Sequence, residues 1–150
     1  MSSKWPPRYD VDRGCRANPF AINTVAVFLA MQSMVRLVPH GGGGAILLAT
    51  SITGIMVARG LVGPSGSKAA LVGMTRAATK SLGPQNIRVD AVAPWRRDGG
   101  WLDAMTDGVR AERRRSIPLG RPEEVVAFLA GDRASCVTER VVGVDGALVV

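Results

Sequence analysis

Residues Ala45 to Leu82 read AILLATSITGIMVARGLVGPSGSKAALVGMTRAATKSL, and this stretch decides the fold. The run Ala45-Ile46-Leu47-Leu48-Ala49 is short, continuous and apolar, and Thr50, Ser51 and Thr53 close it. That pattern predicts a buried strand of a parallel sheet. A loop with Gly54, Gly60, Gly63 and Pro64 follows, and Ser65-Gly66-Ser67-Lys68 then opens a predicted amphipathic helix. Leu71, Met74, Ala78 and Leu82 recur on one stripe of that helix and mark the face that turns to the core. A hydroxyl at the carboxyl end of a strand, facing a lysine on the next helix, stands where open α/β sheets carry their chemistry.

The stretch resembles the active-site segment of the short-chain dehydrogenase/reductase family. The family motif is a serine after a strand, followed thirteen residues on by a tyrosine that opens Tyr-x-x-x-Lys. Here Ser51 lies thirteen residues before Pro64, and Lys68 follows four after it. The text SKAALVGMTRAATKSLGPQNIRVDAVAP then keeps the family pattern almost position for position, so Pro64 stands where the tyrosine is expected. The only tyrosine of the chain, Tyr9, lies upstream and outside any matching motif. The resemblance covers about Asn18 to Gly146 and implies an α/β fold. The expected architecture is a partial Rossmann-like doubly wound parallel sheet, the last three strands of the family fold with their flanking helices.

Composition narrows the alternatives. The chain has 150 residues, one domain's worth, with 47% hydrophobic and 21% charged residues, as in an ordinary soluble globular protein. A net charge of +7 permits an acidic partner such as nucleic acid, an anionic surface or a phosphorylated cofactor. Aromatic residues are only 5%, which argues against a single-strand binder built on stacking platforms. Cys15 and Cys136 lie far apart without metal-ligand spacing, which reads as two reduced thiols, and no metal site is expected. The single histidine, His40, sits in a predicted helix-ending turn, Pro39-His40-Gly41. No apolar leader opens the chain, and the most apolar window, Ala21 to Val38, carries Asn23, Gln32 and Arg36, too polar to span a membrane. A cytoplasmic location is the expectation.

Along the chain, residues 1–17 are polar, contain Pro6-Pro7 and read as a disordered tail, leaving 18–150 as a truncated α/β domain. Asn18-Pro19 has the form of a helix start, with asparagine as cap and proline in the first turn. The segment after it is apolar nearly all round, with Ile22, Val25 and Leu29 on one side and Val27, Met31 and Met34 on another. A helix of that kind is expected to be covered on two sides, by the sheet and by a further surface. Gly41 to Gly44 is no phosphate loop: no Gly-Lys-Ser/Thr follows, and the glycines lead into a strand. Gly83-Pro84 ends the central helix, Ile87 to Val92 is the second strand, Glu123 to Gly131 a helix, and Val141 to Gly146 the third strand. Gly99 to Arg115 reads as a loop and short helix, which the resemblance equates with a variable substrate lid. Pro118-Leu119-Gly120-Arg121 matches the segment after that lid, and Ala147 stands in place of a second glycine.

The resemblance implies functional residues one by one. Asn23 matches the asparagine that helps to hold a water in the family's proton relay; the plain alternative is a helix-interior asparagine bonded to nearby backbone. Ser51 would hold the substrate oxygen, and Lys68 would lower the pKa of a tyrosine that is here Pro64. Lys68, Pro94 and Trp95 fall on cofactor-side positions, with Trp95 where a glycine lets backbone approach the nicotinamide. The implied cofactor is NAD or NADP, and the substrate a small carbonyl/alcohol pair. The family's Gly-rich turn, which sets pyrophosphate against a helix N-terminus, has no counterpart in the sequence. Two main readings follow: an NAD(P)-dependent oxidoreductase, and a non-catalytic remnant that acts by forming a homo-oligomer or pairing with an intact relative. The proline and the absent turn favour the second with respect to activity. A third reading, a basic nucleic-acid binder, rests on Arg96-Arg97 and Arg110 to Arg115; charge runs are usually solvated faces and no binding motif accompanies these.

Overall fold

In the computed structural model the described residues are 18–39, 42–56, 61–94 and 125–147. The tail 1–17, His40, Trp95, Arg96-Arg97, the segment read as a lid, Pro118 to Arg121 and the start of the helix at Glu123 lie outside them. A π-helical turn, Ala21–Val25, runs into α1 (Ala26–Leu37), followed by β1 (Gly44–Ala49), the short α2 (Ile52–Ile55) and α3 (Val62–Leu82). A 3-10 turn, Gly83–Gln85, leads to β2 (Ile87–Pro94); then come α4 (Val126–Ala130), a 3-10 turn at Asp132–Ala134, and β3 (Val141–Val144).

The three strands form one parallel sheet in the order β1-β2-β3. Gly44 pairs with Ile87 and Ala49 with Val92, while Ala91 pairs with Val141 and Pro94 with Val144. β2 lies between the other two strands, and its residues 89–93 are all buried. Its reading as a near-continuous apolar run follows from cover on both faces. The pleat divides it. Ile87 and Val89 pack with Ala78 of α3, with Met31, Val38, Ile46 and Leu82 around them. Val92, on the other face, packs with Leu129 and Ala134.

α3 lies along the sheet on a face of small and hydroxyl residues. Leu71, Thr75, Ala78 and Thr79 are buried there. Thr75 Oγ1 donates to the Leu71 carbonyl at 2.8 Å, and Thr79 Oγ1 lies 3.0 Å from the Val89 carbonyl, so the hydroxyls are satisfied without water. The helix begins at Val62, three residues before Ser65, and Pro64 lies inside its first turn. Asn18 caps the amino-terminal segment as expected, its Oδ1 accepting from Phe20 N at 3.0 Å.

α1 departs from its expected double cover. Met31 and Val38 touch the core, yet α1 has no buried residue, and Leu29, Met34 and Leu37 are 53%, 58% and 82% exposed. The described residues form one layer beneath this helix and nothing above it. β3 ends at Val144, two residues short of the predicted strand, because Asp145 turns the chain and accepts from Ala147 N. Ala147 sits at φ 69°, a conformation that glycine adopts without penalty.

On the α4 face, Arg88 crosses from β2 to the opposite layer. Its Nη1 donates to the Leu129 carbonyl at 2.8 Å and the Val137 carbonyl at 3.3 Å, and its Nη2 to Gly131 at 3.2 Å. Asp90, fully buried, lies 3.8 Å from the same guanidinium and accepts from Arg140 N at 2.9 Å. Arg88→Ala strips three carbonyls of a donor and leaves the Asp90 carboxylate without its cation. The expected loss is about 3 kcal/mol, the low end for breaking a buried pair, measured as a shift in the urea midpoint at constant m-value. A loss below about 1 kcal/mol would place this contact among ordinary surface pairs.

Candidate functional site

The site is built on the carboxyl end of β1. Ala49 is the last strand residue; Thr50 and Ser51 follow and α2 begins at Ile52. Ser51 has extended backbone and caps α2, its Oγ accepting from Thr53 N at 3.2 Å and from Thr53 Oγ1 at 3.1 Å. Either hydroxyl of the Ser51–Thr53 pair can donate to the other, and both can rotate towards another acceptor.

Lys68 reaches the same strand end from α3. Its Nζ donates to the Ala49 carbonyl at 2.7 Å, while its own backbone carbonyl accepts from Thr50 Oγ1 at 2.7 Å. Burial pushes the Lys68 ammonium below its ordinary value near 10.5. Gly54 permits this approach: a Cβ there would lie 2.7 Å from Thr50 Oγ1 and 2.8 Å from the Lys68 carbonyl carbon. No flexible side-chain tip could yield, so α2 meets α3 at that distance only through glycine.

The remaining expected positions separate into two groups. Asn23 lies in the π-helical turn, and its Nδ2 donates to Ser67 Oγ at 3.1 Å. Ser67, fully buried, donates in turn to the Pro64 carbonyl at 2.9 Å, and Thr24 Oγ1 donates to the Ser67 carbonyl at 3.0 Å. Asn23 thus braces the first turn of α3, where Pro64 stands. Pro64 is half-buried and offers no ionisable group. Pro94 ends β2, half-buried, in register with Val144 of β3. Trp95 lies outside the described residues.

Thr50, Gly54 and Ser67 have no place in the candidate set read from the sequence. Thr50 and Gly54 flank Ser51, but hydropathy does not distinguish a structural hydroxyl from a solvated one. Ser67 stands three residues after Pro64, the spacing at which a helix hydroxyl meets a carbonyl one turn back. That spacing was the available signal. Ser65 Oγ is buried and has no hydrogen-bond partner among the described residues.

Comparison with known proteins bears on the family and the fold. A family model described as enoyl-(acyl carrier protein) reductase matches residues 7–148. The chain is 37% identical over 135 residues to the 3-oxoacyl-(acyl-carrier-protein) reductase FabG of Thermotoga maritima, covering 86% of this chain and 55% of the relative. It is 37% identical over 132 residues to a 3alpha-hydroxysteroid dehydrogenase of Mediterraneibacter gnavus, covering 84% and 53%. Among solved structures, one from Beutenbergia cavernae, described as an NAD(P)-dependent gluconate 5-dehydrogenase with bound NADP, superposes with a TM-score of 0.76 at 29% identity. That match covers 86% of this chain and 55% of the other. The chain belongs to the short-chain dehydrogenase/reductase family. It spans a little over half the length of these relatives.

The shifted lysine has a consequence for stability. Its pKa is lower folded than unfolded, so between the folded value and about 10.5 the unfolded chain binds more protons. Stability from this group therefore rises with pH through that alkaline window and is flat below it. Urea titrations of wild type and Lys68→Met across that range are expected to differ in slope, the variant having lost the rise. Parallel curves would show that the ammonium is fully solvated in the folded chain.

Proposed function

We propose that this chain is the substrate-side half of an NAD(P)-dependent oxidoreductase for small carbonyl or alcohol compounds, with its proton-transfer position vacated. The observation that carries the reading is the convergence of Ser51 and Lys68 on the last residues of β1. The Ser51 hydroxyl can donate to a substrate carbonyl oxygen, and the Lys68 ammonium can stabilise negative charge that develops there. Neither replaces a positioned general acid at position 64, a contribution of about 10²–10⁴-fold in rate.

The described residues do not fit a whole dinucleotide. Among them no glycine-rich turn opens a helix: the amino-terminal helical segment follows Asn18-Pro19, α3 opens on Leu61 without a side-chain cap, and Gly42 to Gly44 lead into β1. Ser51, Lys68 and Pro94 offer at most the nicotinamide end. NAD or NADP use is therefore a property of the family that this half alone does not support, and no hydride step is derived from its residues.

The non-catalytic reading has its own observation in the bare face of the amino-terminal segment and α1. Ile22, Val25, Leu29 and Met34 are each more than half exposed. Exposed apolar side chains in this number favour association, with a second copy or with a fuller relative. Light scattering is expected to give a dimer or higher species at micromolar concentration, and Leu29→Glu with Met34→Glu should shift it towards monomer. A monodisperse wild-type monomer at high concentration contradicts association.

Pro64→Tyr separates the two readings. In the 150-residue chain the variant is expected to show neither NADPH fluorescence enhancement nor carbonyl reduction. Joined behind the first half of an active relative, the same variant is expected to reduce carbonyls, at least about 10²-fold above the Pro64 graft. Activity in the isolated variant would show that this chain holds its cofactor unaided and would overturn the proposal.

A further inference from the structure

We propose that Thr50 is a positioning residue, which sets through its side-chain hydroxyl where Lys68 stands relative to the sheet. The inference rests on the reading of Ser51 and Lys68 as carbonyl-side groups of an oxidoreductase. Thr50 lies one residue past β1, is only 3% exposed and meets three elements. Its amide donates to the Val92 carbonyl at 2.9 Å, which carries the β1–β2 ladder one residue beyond β1. Its Oγ1 donates to the Lys68 carbonyl on α3 at 2.7 Å. The same oxygen lies against Gly54 of α2, where a Cβ would come within 2.7 Å of it.

These contacts refer the lysine to the centre of the sheet. Val92 is buried in β2, the Thr50 backbone is bound to it, and β-branching leaves the hydroxyl few rotamers. A hydroxyl fixed in that way holds the α3 backbone at residue 68. From there the Lys68 side chain reaches the Ala49 carbonyl, its Nζ at 2.7 Å. That bond alone does not fix the helix, because a flexible lysine stem lets the ammonium follow α3 through a range of positions. Ser51 follows Thr50 directly, so the same anchor sets where Ser51 leaves the sheet. Valine keeps the branched shape of threonine without the donor, and serine keeps the donor without the branch.

The chain has three lysines, Lys4, Lys68 and Lys80, so isotope-labelled lysine gives assignable ammonium signals by NMR. In the full chain at mildly acidic pH, the Lys68 ammonium is expected to exchange with water severalfold more slowly than free lysine. Thr50→Val should speed that exchange severalfold and leave Lys80, paired with Glu139, as it was. Thr50→Ser should keep the slow signal. A purely structural hydroxyl would lower the urea midpoint of Thr50→Val with the Lys68 signal unmoved, and that outcome overturns the proposal. So does fast Lys68 exchange in the wild type or in Thr50→Ser, a test that does not depend on the folding of Thr50→Val. Chemistry is read separately in the Pro64→Tyr graft. There Thr50→Val is expected to lower kcat by about 10²-fold with KM little changed, the loss that a misplacement of roughly 1 Å can bring. Thr50→Ser should stay close to the parent graft. A parent graft without activity sinks the oxidoreductase reading and leaves the ammonium result standing, whereas an active graft indifferent to Thr50→Val overturns the positioning role.

Discussion

The end of β1 and the second turn of α3 are joined by two reciprocal bonds, and both fold and site depend on that junction. Thr50 Oγ1 donates to the Lys68 carbonyl, and Lys68 Nζ donates back to the Ala49 carbonyl, each at 2.7 Å. A neutral side-chain bond is worth about 1 kcal/mol net and a charged one about 1.5–3. The exposure of Lys68 places its bond at the lower end of that range. Their structural effect exceeds those figures, because a strand end and a helix can be tied at this separation only where Gly54 leaves room. Ser51 and Lys68 are therefore brought together by packing, before any substrate or cofactor contributes.

The same local physics explains why the fold accommodates the change at position 64. The first α3 hydrogen bond runs from Ser65 N to the Leu61 carbonyl, so Pro64 stands just ahead of the first amide that the helix requires. Amides in the first turn have no intrahelical partner, and a proline among them forfeits nothing. Asn23 and Ser67 hold that turn through the Pro64 carbonyl, a group that every residue type supplies. Replacing a tyrosine here removes a proton donor while leaving the backbone bonds in place. The backbone requirements of this turn are thus met without a tyrosine side chain at position 64.

The strands of the sheet were legible in sequence because burial on both faces imposes continuous apolar runs. Leu48, Val89, Ala91 and Ala93 are buried where such runs predict. Ser51 and Lys68 were legible through motif spacing, which encodes a strand end and a helix face at once. The partners of Asn23 were not, since an amide of that size reaches several acceptors and tertiary packing selects Ser67. Arg88 and Asp90 read as alternate polar positions in a strand; nothing local reveals that one spans to α4 and the other is sealed beneath it. The cover expected on α1 came from its all-round apolarity. That pattern demands a second surface but does not name it, and the described residues do not supply one.

Among the described residues β1 has a single neighbour strand, β2, and on its outer edge the Ala49 carbonyl is taken by Lys68 Nζ. Such an edge on an apolar strand is costly in water and invites pairing. The bare face of α1 lies on the same polypeptide and makes the same demand in apolar area. The sheet and α3 hold their geometry through their own contacts, while among the described residues the edge of β1 and the exposed face of α1 stay uncovered.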